Sequence, residues 1–178
     1  MYKLYCDGGG QTVKNKVYPT YFSYKLFKDN REYTERVKLK FFSKDVTVVE
    51  TPVRLERWFL KSLITPEYYN SGQLNDELML PKGCSILNEL GKETNIISEY
   101  AAIYYSLQRF QKVLGNTPLI VCSDSEVCIK QIAGVTKGGY ACNAKHLRFW
   151  RDGVLNLLWD DVIFEYTKRD KIVEMLGH

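Results

Sequence analysis

The sequence predicts an α/β domain built on one mixed, five-stranded sheet, three antiparallel strands followed by two parallel ones, with helices on both faces. Three observations carry this. Up to about residue 42, three stretches alternate apolar and polar with period two. Beyond residue 94 the spacing becomes helical and is interrupted by two short apolar runs. The 178 residues, 45% hydrophobic and 13% aromatic, suffice to bury one core.

In the first strand Tyr2, Leu4 and Cys6 alternate with Lys3, Tyr5 and Asp7, and Gly8-Gly9-Gly10 is expected to stop it. A second alternating run, Tyr21 to Phe27, meets a third, Tyr33 to Phe42, across the turn-rich Lys28-Asp29-Asn30-Arg31. In the third, Val37, Leu39 and Phe41 oppose Arg36, Lys38 and Lys40, as in a sheet with one buried face. The pattern changes between residues 43 and 93. A helical run over 53–64 gives way to a stretch punctuated by Pro66, Gly72, Pro81, Gly83 and Gly91. We read this as an insertion within a single domain spanning 1–178. Trp58, Phe59, Tyr68 and Tyr69 are expected to pack a small core of its own rather than stack on bases, because the insertion is net acidic.

Thr94 or Asn95 can cap the next helix, whose stripe of Ile96, Tyr100, Ile103, Leu107 and Phe110 ends near Gly115. Pro118 to Cys122 is a buried strand handing over to a helix that reaches about Ala133. A loop holding Gly134, Gly138 and Gly139 follows, then a helix from about Lys145 to Leu158 with Leu147, Trp150 and Val154 toward the core. The strand Val162 to Tyr166 and a short terminal helix complete the order.

Composition excludes several classes. No apolar run approaches the ~20 residues of a membrane span, and Met1-Tyr2-Lys3-Leu4 enters a strand pattern without a signal-peptide layout. A soluble, cytoplasmic monomer is expected, with no membrane partner. Five cysteines without a Cys-x-x-Cys pair, and only two histidines, support neither a disulfide scaffold nor a zinc site. Cys6 and Cys122 read as small core hydrophobes. The formal charge is +4, distributed unevenly: residues 45–93 carry eight acids against five bases, net −3, leaving +7 on the remainder. A basic body of this kind suits a polyanionic partner.

Three acids stand at element junctions. Asp7 ends the first strand, Asp124 follows the buried run in Ser123-Asp124-Ser125, and Glu99 lies early in the long helix. Each has an ordinary reading: Asp7 as a turn former, Asp124 as a helix N-cap, Glu99 as a helix-surface acid. Their joint placement says more, since adjacent strands would set Asp7 beside Asp124 with Glu99 crossing above. Carboxylates so close repel unless a cation neutralises them, and hard oxygen donors without a histidine pair favour Mg²⁺ or Mn²⁺. Two such ions about 4 Å apart can activate water and stabilise a leaving oxygen in phosphodiester hydrolysis.

With Leu4-Tyr5-Cys6-Asp7-Gly8-Gly9, Thr94-Asn95-x-x-x-Glu99-x-x-Ala102 and Val121-Cys122-Ser123-Asp124-Ser125 in this order, the chain resembles the type 1 ribonuclease H family and its reverse-transcriptase-like relatives. The resemblance covers most of the chain outside 43–93 and implies a ribonuclease H-like fold. It implies catalytic metal ligands at Asp7, Glu99 and Asp124, holding two ions of Mg²⁺ or Mn²⁺. A fourth acid on the last helix, two residues before a leucine, would fall on Glu174, with Asp170 and His178 on the same helix face as alternatives. Substrate contacts would come from Asn95, and from Lys137 and Lys145 where relatives carry a basic protrusion. The loop histidine that relatives place between the last strand and helix has no counterpart. The implied activity is an endonuclease that hydrolyses the RNA strand of RNA·DNA hybrids. The alternatives are a nuclease on another structured nucleic acid and a catalytically inactive binding module on the same scaffold.

Overall fold

The computed structural model describes residues 1–13, 16–34, 36–40 and 94–177. The expected insertion at 43–93 lies outside the described residues, and so does His178. The first two strands, β1 (Tyr2–Val13) and β2 (Lys16–Lys28), form the antiparallel centre of the sheet. β2 turns into β3 (Arg31–Glu32) through Asp29 and Asn30, at φ 51° and 65°. Two consecutive left-handed residues make the tight hairpin whose twist matches the flanking strands.

The expected third strand is divided. β3 and β4 (Val37–Lys40) both pair with β2. Between them the N–H groups of Tyr33 and Thr34 both donate to the Leu26 carbonyl. The Leu26 N–H donates to the Thr34 hydroxyl at 3.3 Å, so a side chain takes the place of a ladder partner and the strand is interrupted.

A second correction concerns Gly8-Gly9-Gly10. These residues do not stop β1, which continues to Val13 with a register shift between Gly9 and Gly10. Here glycine serves close approach rather than chain reversal: a Cβ on Gly8 would lie 2.2 Å from the Ser98 carbonyl carbon.

Ser98 belongs to α1 (Thr94–Leu114), which is followed by β5 (Leu119–Ser123), α2 (Glu126–Ala133), α3 (Lys145–Leu157), β6 (Val162–Tyr166) and α4 (Arg169–Leu176). The strand order is β3-β2-β1-β5-β6, with β4 also on β2. β5 runs parallel to both β1 and β6. The sheet is therefore mixed as expected, with its antiparallel and parallel halves meeting at β1.

One face carries α1, α2 and α3. Leu4, Phe22, Tyr24 and Leu26 of the sheet pack there with Ile97, Tyr100, Ile103 and Leu107 of α1 and with Leu147, Trp150 and Val154 of α3. Each large side chain so buried contributes about 1.5–3 kcal/mol. The other face is covered by α4, whose Ile172 and Leu176 meet Tyr5, Phe27 and Cys122. The C-terminal end of α4 is tied down by Arg36, which donates to the carbonyls of Leu176 and Gly177 at 3.3 and 3.5 Å. Cys6, Cys122, Cys128 and Cys142 are buried free thiols. No helix among the described residues is long and apolar enough to cross a membrane.

Candidate metal centre

Strand register brings the two aspartates together. Cys6 and Ser123 form the last pair of the parallel β1–β5 ladder, so Asp7 and Asp124 are the next residues on adjacent strands. The N-cap reading of Asp124 does not hold, because Ser125 has that duty: its hydroxyl accepts the Cys128 N–H at 3.3 Å. Ser123 supports the turn by accepting the Ser125 N–H at 3.1 Å. Asp124 is left to face Asp7.

Glu99 enters from α1 over Gly8. The Gly8 N–H donates to Glu99 Oε2 at 3.1 Å, and the Ser98 hydroxyl donates to the Gly9 carbonyl at 3.0 Å. These two bonds pin the helix onto the bare backbone of β1. The missing Cβ at Gly8 is therefore a condition of the site, since any side chain there would lift Glu99 away.

Ligand oxygens of Asp7, Glu99 and Asp124 lie within 4.8 Å of one another. Burial raises the Glu99 carboxyl well above its ordinary value, and the Asp124 and Asp7 charges add to the rise, while the Gly8 N–H and Arg169 oppose it. Burial also raises Asp124, against the hydrogen bond from Arg169. Both shifts come chiefly from burial, which disfavours the charged form, with the neighbouring carboxylates adding to it.

The donor set fits a hard divalent cation. All three groups offer carboxylate oxygen, with no soft ligand. Oδ1 of Asp124 is buried with no hydrogen-bond partner among the described residues, the state of an oxygen that an ion could use.

No protein-family model matches the sequence, and no curated protein matches it. Solved structures do. The LC11 ribonuclease H1 isolated from compost by a metagenomic approach superposes with TM-score 0.59 at 15% identity, over 98% of this chain and 91% of that one. The ribonuclease H1 of the halophilic archaeon Halobacterium salinarum gives 0.56 at 16%, over 96% and 88%. The LC11 enzyme in complex with an RNA/DNA hybrid gives 0.57 at 13%, over 98% and 90%. The chain has the ribonuclease H-like fold.

Within this fold the fourth expected ligand is missing from the cluster. Glu174 is 69% exposed and faces Lys171 at 3.8 Å. The reason is helical phase. Ile172 and Leu176 are buried, and at ~100° per residue Glu174 lies roughly 160–200° round the helix from them. Asp170 is likewise exposed, and His178 lies outside the described residues.

The helix instead sends in Arg169. Its Nη1 donates to Asp7 Oδ1 at 2.9 Å and to Asp124 Oδ2 at 3.2 Å. No sequence motif points to this residue; strand register carries it to the cluster. β6 pairs with β5 up to Ser123↔Tyr166, and the Thr167 N–H donates to the Ser123 carbonyl at 2.8 Å. A base three residues after Tyr166 is thereby carried alongside Asp124.

Of the expected substrate contacts, Asn95 lies in the first turn of α1, four residues before Glu99. Lys137 and Lys145 are exposed, in the 3-10 turn Val135–Lys137 and at the start of α3. Neighbouring cations are engaged locally: Arg148 donates to the carbonyls of Cys142 and Asn143, both at 3.0 Å, and Arg151 pairs with Asp152.

Proposed function

We propose that this chain is a divalent-metal-dependent endonuclease that hydrolyses the RNA strand of RNA·DNA hybrids, leaving a 3′-hydroxyl and a 5′-phosphate. The observation that carries the reading is the convergence of Asp7, Glu99 and Asp124 within 4.8 Å, just past the last pair of the parallel β1–β5 ladder, in a ribonuclease H-like fold. Two ions of Mg²⁺ or Mn²⁺, held by these three carboxylates, would supply a polarised water and charge neutralisation at the departing oxygen. The chain's own part is positional. Asp7 and Asp124 are fixed by strand register, and Glu99 by the Gly8 N–H, so the oxygens need little rearrangement when a substrate arrives.

The hybrid as substrate is supported by a neighbour, the LC11 enzyme, solved in complex with an RNA/DNA hybrid. Lys137 and Lys145, both exposed, would meet phosphates, and Asn95, four residues before Glu99 on the same helix, would meet a 2′-hydroxyl or base edge. We take the working unit to be a monomer. The placement of Glu174 outside the cluster favours a second reading, an inactive nucleic-acid-binding module on this scaffold.

Cleavage of labelled RNA·DNA hybrid, duplex RNA and duplex DNA in Mg²⁺ or Mn²⁺ separates the two. The RNA strand of the hybrid should be cut preferentially, and Asp124→Asn should lower the rate by roughly 10²-fold or more. Undiminished cutting by Asp124→Asn would sink the assignment. Hybrid binding without cleavage by the wild-type chain would favour the inactive module.

A further inference from the structure

Arg169 and a divalent cation would use the same carboxylates. One guanidinium nitrogen bridges Asp7 on β1 and Asp124 beyond β5, at 2.9 and 3.2 Å. We propose that Arg169 is an internal competitor for the metal: it neutralises the cluster as a built-in cation, must swing out for an ion to enter, and thereby sets the ion concentration at which the site fills. This deepens the metal reading of the cluster and rests on it.

Three features of the site support the exchange. First, Arg169 already occupies Asp7 Oδ1 and Asp124 Oδ2, and a divalent ion set among the same carboxylates would be repelled by the guanidinium at that separation. Second, the mobile partner is the arginine. Its side chain is 55% exposed, whereas Asp7 is 0% and Asp124 11% exposed, so the carboxylates stay while the guanidinium can move into water. α4 need not move with it, because the helix is held by Ile172 and Leu176 in the core and by Arg36 at its end. Third, the arginine leaves work undone. Oδ1 of Asp124 is buried with no hydrogen-bond partner among the described residues, and Glu99 is held by the Gly8 N–H. An ion with six or more coordination positions can engage oxygens that a single guanidinium nitrogen does not reach.

Competition of this kind has a reciprocal signature: weakening the arginine contact strengthens metal binding by the same factor. Calorimetric titration of the full chain with Mn²⁺ alone, without nucleic acid, reads that factor directly. Arg169→Gln should bind Mn²⁺ more tightly than wild type by roughly 5- to 150-fold, the usual range for coupled sites. Arg169→Lys, which keeps the charge but not the planar fork, should fall between the two, and it carries the same comparison if Arg169→Gln fails to fold by circular dichroism. Equal or weaker binding by both variants overturns the proposal and leaves the metal reading intact. Absence of binding heat in all three proteins overturns both.

Discussion

Asp7, Asp124 and Glu99 reach the cluster from elements that hold one another, whereas Arg169 reaches it from a helix anchored elsewhere. On the first side, parallel register sets the aspartates abreast, and α1 rests on Gly8 with two hydrogen bonds to β1. On the second side, α4 is fixed by apolar contacts with Tyr5, Phe27 and Cys122 and by Arg36, and its phase alone decides that Arg169 meets the cluster while Glu174 meets water. The difference teaches that the three carboxylates are an outcome of the fold's geometry, while the fourth position depends on helical phase, which a change of one residue alters by ~100°.

The sharpest way to break the rigid side is Gly8→Ala. The added Cβ would lie 2.2 Å from the Ser98 carbonyl carbon and 2.5 Å from the Glu99 nitrogen, both backbone atoms, so α1 must shift. A loss of about 3 kcal/mol is expected, read as a fall in Tm of roughly 6–12 °C, together with weakened Mn²⁺ binding. An unchanged Tm would show that the helix does not rest on this residue.

Glu99→Gln tests the charge stored on the same side. The raised carboxyl means that Glu99 binds its proton more readily in the folded than in the unfolded chain. Stability therefore falls as pH rises from the ordinary 4.5 toward the raised folded value, and above that value the cost of the buried charge is fully present. In chelator, Glu99→Gln should raise Tm at neutral pH. The advantage should shrink as pH falls to 4.5. A variant no more stable than wild type at neutral pH contradicts the stored charge.

The smallest effect is expected on the loose side. Glu174→Gln removes an exposed carboxylate and an exposed pair with Lys171 at 3.8 Å, worth less than about 0.5 kcal/mol. Cleavage of the hybrid should stay within about twofold of wild type. A drop of tenfold or more would mean that α4 turns during the reaction and restores Glu174 as a ligand.

This contrast also explains what the sequence made legible. Period-two and helical spacing located β1, β2, β5, β6 and the four helices, because each buries one face. The three acids were readable because Asp7 closes an apolar-polar alternation before three glycines, Asp124 follows a buried apolar run and Glu99 lies early in an amphipathic helix. Gly8-Gly9-Gly10 misled, since glycine marks close backbone approach as readily as chain reversal, and only the packing of Ser98 distinguishes the two. The break between β3 and β4 depends on the Thr34 hydroxyl, a contact with no periodic signature. Glu174 was placed by its distance of two residues from Leu176, yet that leucine is buried on the opposite side of the helix. Arg169 carries no signature in the sequence, because its partners are set by tertiary register.

The account turns on whether Asp7, Glu99 and Asp124 hold divalent ions. Anomalous diffraction from crystals of the wild-type chain grown in Mn²⁺ addresses this most directly. Anomalous density is expected among the three carboxylates, with Arg169 swung out of contact with Asp7 and Asp124. Crystals equilibrated with saturating Mn²⁺ that show no such density, with Arg169 still bridging the two aspartates, would contradict it.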